Sequence, residues 1–532
     1  MKKTMIISAA LLGVTFAAGA QTVSDALRYS ENNYLGTARS IGLGNAVTAL
    51  GGDLGTVGIN PAGSAVSKFW QIEFTPALSI SASDAKYNPN PSASSNYTSS
   101  TDNSTRFTFP NFGMNMYFPT GQRSGLKGVS FGFIFNSTNN FQERFTGHGQ
   151  NGSTSYLGYL ATAADGYKES DLQGADYASS IPWDVLVGYR SGMIAGYGTT
   201  DGKYIGTTEK QYSDGSIMVA SNLNQRYAVS SHGQKYDPVL NLGFNISDIF
   251  YFGFNLGLTT FDYQTKSTIT ETAVDPASFE VNFQKGTAYF SDASYRNRYS
   301  AYGDGVYGKF GFIVLPTDNL RIGAAIQTPT SIHMVEKYHY YGETNFTDSG
   351  YDSWARSDDG RYEYRLITPY SANVGLACTF PKGFISADYE MTDYSTMKFK
   401  EDDDYDVEGT FDRVNDDIRD YTGMTHEVRM GGEFMPMSDI AFRAGYGFRS
   451  SAERYYDALG DKKSPDAYTH TVSFGLGYSS PGSFFMDFAC QALFRSKQYY
   501  YPYPDYINDV KSPEIKLNSQ LWTFAMTFGW RF

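Results

Sequence analysis

The chain has 532 residues, with 43 Tyr, 38 Phe and 54 Gly, yet its mean hydropathy is −0.38, so it is aromatic-rich and polar on average. A formal net charge of −13 excludes nucleic acid as an expected partner, because phosphates select the opposite sign. The two cysteines, Cys378 and Cys490, fall in separate alternating runs and read as small apolar residues, which excludes a disulfide-stapled fold.

In chain order, Lys2 and Lys3 precede an apolar run from Met5 to Ala18 that ends in Ala18-Gly19-Ala20. This pattern predicts a secretory signal over 1–20, with cleavage near Ala20, and no Cys follows to carry a lipid anchor. After it no run of eighteen apolar residues occurs, so a spanning helix is not expected. A closed barrel is the remaining way to satisfy every backbone group in hydrocarbon. Residues 21–69 are rich in Gly and Ala, do not alternate, and end in Asn60-Pro61-Ala62-Gly63. Small residues let backbones pack closely, so this segment is read as an N-terminal plug, or hatch, folded into the lumen.

The barrel is expected over 70–532. Its first strand, Trp70 to Ser83, alternates apolar and polar residues. Six tight turns follow, at 119–127, 247–248, 315–319, 381–383, 435–439 and 479–483, each rich in Pro, Gly, Asp or Ser between two alternating runs. Six hairpins, the first strand and the last give fourteen antiparallel strands. The polar stretches between hairpins, at 84–104, 142–237, 263–304, 329–369, 395–423, 451–467 and 495–519, are read as exterior loops. The longest, 142–237, has a helix-forming middle that predicts a folded cap. The closing strand sets Trp522, Phe524, Met526, Phe528, Trp530 and Phe532 on one face and Thr523, Ala525, Thr527 and Gly529 on the other. That division suits lipid on one side and a wet lumen on the other. The terminal Phe532 resembles the insertion signal of bacterial outer-membrane barrels, which implies a Gram-negative outer membrane and its barrel-assembly machinery as a partner in biogenesis.

Other signals are weak. GDGVYGK at 303–309 is followed by Phe310, where a phosphate loop needs Ser or Thr, and no nucleophile elbow exists. No enzyme activity and no cofactor are therefore expected. His333 and His339 share a parity that leaves a haem-binding alternative open. The run Glu401 to Asp406 lacks the glycine and the final Glu of a calcium loop, so it reads as a solvated acidic loop with no metal. Tyr499 to Tyr506 suits either an interfacial girdle or a binding surface.

Taken with the strand count, Asp53 followed by Asn60-Pro61-Ala62, Gly-Lys-Phe-Gly at 308–311, LRIGAAIQTP at 320–329 and FISADYEMTDYS at 384–395 resemble the FadL/TodX family of outer-membrane transporters of hydrophobic compounds. The resemblance covers essentially the whole mature chain. It implies passive uptake of hydrophobic small molecules, long-chain fatty acids by default, caught between exterior loops and released sideways past the plug. Asn60 and Pro61 would form the plug turn at the exit, with Ala62 and Gly63 fixing its close packing. The plainer reading of the motif is a turn that starts the first strand. The lateral gap would lie in the third strand, read as 128–141, at Gly132 and Asn136. Lipid and lipopolysaccharide would surround the barrel. An adaptor role, holding a protein partner of a secretion or assembly complex, is the alternative from another class, with a hemin receptor as a further variant.

Overall fold

The computed structural model describes residues 21–91, 97–198, 202–283, 285–402, 409–456, 460–504 and 512–532. The expected signal segment and residues 403–406 of the acidic run lie outside the described residues.

Fourteen antiparallel strands form one sheet that closes on itself. They are β1 Gln71–Asn88, β2 Thr98–Pro119, β3 Leu126–Asn140 resumed as Glu143–Asn151, β4 Leu223–Ile246, β5 Phe250–Ala273, β6 Gly286–Val314 and β7 Leu320–Gln327 with Ser331–Phe346. The second half comprises β8 Gly360–Ile367 with Ser371–Phe380, β9 Gly383–Asp393, β10 Met424–Met437, β11 Ile440–Ser450, β12 Tyr468–Ser479, β13 Phe484–Tyr500 and β14 Glu514–Arg531. Every strand pairs with its sequence neighbours, and β14 returns to β1 with Trp530 opposite Ile72. The seam is tied at its foot, where Trp70 N donates to Phe532 O at 3.2 Å and Phe532 N to Trp70 O at 2.8 Å. Pairing the last strand with the first closes the sheet, which is what lets it live in hydrocarbon.

All six short turns fall where the sequence places them. In the tightest, Ser247 and Asp248 both take positive φ, 57° and 60°, the twist that joins right-handed strands in a two-residue hairpin. Lys68 and Lys127 each reach the Asp248 carboxylate, at 2.9 and 2.7 Å, and hold it well below the usual carboxylate range. On β5 the outward residues Phe254, Leu256 and Leu258 are exposed while the intervening Asn255 and Thr259 are buried. This belt of outward apolar side chains marks the lipid-facing zone.

The strands run well past that zone, which corrects the expected loops. The stretch 263–304, read as a loop, is strand on both sides of a short tip, since β5 continues to Ala273 and β6 begins at Gly286. Likewise Glu143–Asn151 and the first half of β4 lie within the expected loop 142–237. Above the lipid the outer face meets water while the inner face still packs Phe261, Tyr263 and Ile269, so the outward apolar residues end at Leu258 while the hydrogen-bonded ladder goes on through Thr268, Thr270 and Thr272.

Between β3 and β4 the chain folds over the lumen as α4 Tyr156–Ala164, α5 Glu169–Gly174 and α6 Trp183–Arg190, with short hairpins after them. The helices bury Leu160, Val185 and Leu186 against Tyr295 and Tyr340 of the tall strands. Ser155 caps α4 and donates to Glu271 of β5, and Tyr156 N donates to the same carboxylate at 2.7 Å. Burial pushes Asp184 of α6 up to about 7, and burial likewise pushes Glu209 up to about 7. A carboxyl raised in the folded state keeps its proton where the unfolded segment has lost it. The cap therefore loses stability as pH rises from about 4 to about 7, with Asp184 alone accounting for on the order of 4 kcal/mol. The double variant Asp184→Asn/Glu209→Gln should slow amide exchange in α4 to α6 relative to the parent at pH 8 and leave it equal at pH 4. Equal exchange at both pH values would contradict this account.

Candidate functional site

Residues 22–66 lie inside the barrel, the later part toward the short turns and residues 23–30 higher, against Phe261, Tyr263, Phe411 and Ile418. Their elements are brief: α1 Val23–Ser30, α2 Ala38–Gly42, α3 Leu54–Val57 and a 3-10 turn Pro61–Ala65. Thr22 and Asp25 form a reciprocal capping box on α1. Because so little of the segment is helical, most of its carbonyls need partners from outside. The wall supplies them. Asn255 donates to Val57 O at 2.8 Å, Lys309 to Gly58 O at 2.8 Å, Asn241 to Pro61 O at 3.0 Å and Arg321 to Leu50 O at 2.9 Å.

Asn60 is at the centre of this seat. Its Nδ2 donates to Thr48 O at 2.7 Å and to Phe312 O of β6 at 3.0 Å, and its Oδ1 accepts from Ala62 N at 3.1 Å. Thr48 in turn donates from N and Oγ1 to Asp388 of β9, at 2.9 and 2.7 Å. Pro61 starts the 3-10 turn, and Ala62 and Gly63 are buried within it. The motif thus lies in the lumen, ahead of β1, and not at the start of that strand. The wall must come close to make these bonds. A Cβ at Gly311 of β6 would stand 2.2 Å from Asn60 Oδ1, and one at Gly323 of β7 would stand 2.2 Å from Thr48 O.

A second set of bonds is ionic. Arg443 of β11 joins Glu433 of β10 at 2.6 Å and Asp487 of β13 at 2.5 Å, all buried, and Arg39 of α2 adds to Glu433 at 3.2 Å. Breaking a buried pair of this kind costs about 3–5 kcal/mol, so α2 is fixed to the far wall.

Among the described residues the wall is interrupted between β2 and β3. Ladder bonds between β2 and β3 run from Pro119/Gly128 to Asn111/Asn136 and stop there. Beyond Asn136, β3 turns inward, and Ser137 pairs with Leu35 of the inner segment instead. Leu35 N donates to Ser137 O at 2.8 Å and Asn33 N to Thr138 O at 2.6 Å. The five residues Asn136 to Asn140 are all buried, although all are polar. The stretch Thr105 to Pro110 of β2 is left facing residues 137–141 without ladder bonds, and Pro110 has no N–H to offer. Gln142 closes the upper end by donating to Ser104 O at 2.6 Å, and Asn111 closes the lower by donating to Asn136 Oδ1 at 2.6 Å. Of the two residues read as a lateral gap, Asn136 is the last ladder partner before the unpaired stretch. Gly132 lies below it, inside the regular ladder opposite Asn115 and Asn241. The signal for the break was the unalternating run Asn-Ser-Thr-Asn-Asn.

Above α1 a cavity of about 660 Å³ opens toward the exterior. Leu27 and Arg28 form part of its floor, and Phe141, Tyr227, Tyr263 and Tyr500 part of its walls. Tyr29 stacks on Phe261 at 4.8 Å between ring centroids, and Arg28 lies 4.9 Å from the ring centroid of Tyr263. Glu453, in the loop after β11, also lines the cavity, and burial followed by repulsion from Glu31 pushes it up to about 7. Residues 139–143 line it as well, so the inward turn of β3 and the cavity share a boundary. Among the described residues the cavity offers enclosure, aromatic surface and a few polar groups.

His333 and His339 lie on the outer face of β7, where they approach carboxylates: His333 Nε2 is 3.3 Å from both Glu363 and Asp402, and His339 Nδ1 is 3.4 Å from Asp359. They do not face the cavity. His333, Glu363 and Asp402 form the one group of potential metal ligands among the described residues, but Arg361 and Arg365 already engage its carboxylates.

No family model and no curated protein sequence matches the chain. Among solved structures it is similar to a Pseudomonas aeruginosa FadL homologue, at 14% identity and TM-score 0.48 over 93% of this chain and 98% of that one. It is also similar to the Pseudomonas putida toluene transporter TodX, at 13% identity and TM-score 0.45 over 94% and 100%, and to the Ralstonia pickettii toluene transporter TbuX, at 12% and 0.44 over 93% and 98%.

Two substitutions test the seat. Asn60→Ala removes three buried bonds, a loss of about 2–3 kcal/mol, and Gly311→Val drives a side chain into Asn60. Both should raise the resting ion conductance of the purified barrel in planar bilayers while leaving its amount in the membrane unchanged. Conductance equal to the parent in both would show that the seat does not depend on Asn60.

Proposed function

We propose that the chain is a FadL/TodX-type channel of the outer membrane for passive uptake of hydrophobic small molecules. Residues 21–69 act as its plug. The observation that carries this reading is the adjacency of an exterior-facing aromatic cavity and the unpaired stretch between β2 and β3, with the inner segment filling the barrel below both. A solute that enters the cavity is stopped from going straight down by the plug and meets the break at Phe141 and Asn139. Leaving there delivers it to lipid, where an apolar body is stable, and never to water. Asn60 and Pro61 hold the plug while Ala62 and Gly63 keep it close to the wall. Long-chain fatty acids remain the default cargo. Tyrosine hydroxyls and Arg28 beside apolar surface suit a compound with one polar end.

A second reading, an adaptor for a secretion or assembly partner, draws on the height of the barrel above its apolar belt and on surface aromatics such as Trp354, which is 67% exposed. An adaptor requires no passage between β2 and β3.

A cysteine lock separates the two. Leu35 and Ser137 face each other across an antiparallel bridge, a spacing a disulfide can span. In a background with Cys378 and Cys490 replaced by Ser, Leu35→Cys/Ser137→Cys should abolish uptake of a labelled fatty acid or toluene under oxidising conditions, and reduction should restore it. Unchanged uptake with the lock formed would reject release at this break.

A further inference from the structure

Beyond the apolar belt, the outer face of β5 to β9 carries cations where a sheet does not favour them. Lys266 of β5 stands directly opposite Arg298 of β6, and Arg298 opposite His339 of β7. Lower down, Lys337 of β7 faces Arg361 of β8. Lower still, Arg365 of β8 faces Lys400, in a short strand Lys398–Lys400 that extends β9. Their alternate neighbours Ser267, Asn297, Glu336, Tyr364 and Phe399 are buried, so the cations share the outer side.

Like charges directly opposite each other weaken a ladder. The chain is acidic overall, so composition does not explain the cluster. Carboxylates are interspersed. Glu363 is held by Arg361 at 2.5 Å and Asp402 by Arg365 at 3.4 Å, and Asp262 and Asp304 lie on the same face. Lys266, Arg298, Lys337 and Lys400 have no carboxylate partner among the described residues; Lys337 instead lies 5.7 Å from the ring centroid of Tyr302.

The heights of these cations define the anion. Val306 is an exposed apolar residue of β6 at the top of the belt, and Asp304, Tyr302, Ser300 and Arg298 follow it outward at two-residue steps. In a tilted sheet register partners are not level: pairing runs from Phe250 at the foot of β5 through Val314, Ile322 and Leu376 to Ala387 of β9, which stands above the foot of that strand at Gly383, a climb of about one residue per strand. With each residue climbing about 2.5 Å, Arg365, Lys400, Lys337, Arg361, Lys266 and Arg298 all stand about 10–20 Å above the belt. A phospholipid carries its phosphate in a single plane at the belt edge and does not reach them. An anion that does needs phosphates or carboxylates distributed along a headgroup of several sugars.

We infer that this face binds a phosphorylated, acidic glycolipid of the surrounding leaflet, with its sugars lying along the cation ladder. The inference rests on the proposed outer-membrane residence, with the tall strands outward, and is independent of transport. Bound phosphate would turn each repulsive pair into two charge-assisted contacts.

The test is native mass spectrometry of the full barrel extracted from its own outer membrane in mild detergent, counting retained glycolipid. The parent should carry it. In Lys266→Gln/Arg298→Gln/Lys337→Gln/Arg361→Gln, occupancy should fall by about tenfold or more, the loss expected when several charge-assisted contacts go. Unfolding of the delipidated variant should come no lower in temperature than that of the delipidated parent, because the repulsions are gone. The control Arg123→Gln/Lys382→Gln, in exposed short turns at the opposite end of the barrel, should keep its glycolipid. Parent-level occupancy in the quadruple variant, or equal loss in the control, would overturn the inference. So would loss of an acidic protein partner with glycolipid unchanged.

Discussion

The structure depends on one constraint: an irregular segment enclosed in a barrel must find partners for its backbone outside itself. Regular helix is scarce between residues 22 and 66, so the wall has to provide donors at fixed positions. Asn241, Asn255, Lys309 and Arg321 do so from four consecutive strands, and Ser386 of β9 adds a bond to Ala46 O at 2.6 Å. Each such bond adds about 1 kcal/mol, and an unmade one would cost more than that. The set specifies one placement of the inner segment more than it adds stability, since displacing it by a single residue would orphan several carbonyls together.

The inward turn of β3 follows from the same constraint. Leu35 and Asn33 need acceptors, and β3 offers Ser137 O and Thr138 O only by leaving β2. The break in the wall is therefore the complement of a bond made inside. Its buried polar lining, Asn136 to Asn140, is satisfied in part by the inner segment, since Asn139 accepts from Asn33 at 3.0 Å, while Thr138 Oγ1 and Asn140 Nδ2 have no hydrogen-bond partner among the described residues. On the proposed function, moving the inner segment and opening the break would be one event, coupling closure below to passage at the side.

The strand number, the short turns and the lipid-facing parity were legible in the sequence because tight turns need particular residues and lipid imposes an alternation. Phe254, Leu256 and Leu258 show the alternation plainly. The upper halves of the strands were not legible, because their outward residues, such as Thr268 and Thr270, are polar and the buried ones mix Ser267 and Glu271 with Ile269, so a polarity count finds no clear alternation. The motifs that carry the family resemblance turn out to have a physical meaning. Lys309 and Gly311, Arg321 and Gly323, and Ser386 and Asp388 are wall residues that meet the inner segment. The cavity above α1 was invisible, since Leu27, Tyr263 and Tyr500 come together only through closure of the barrel.

The coupling of plug and lateral break is tested most directly by photolabelling with an apolar diazirine probe in native membranes, followed by peptide mapping. The account predicts label on Phe141 and on the β2 stretch Thr105 to Pro110, with little on the short turns. Label concentrated beneath the plug, around Ser247 and Asp248 or the foot of β1, would contradict it and place the route through the lumen.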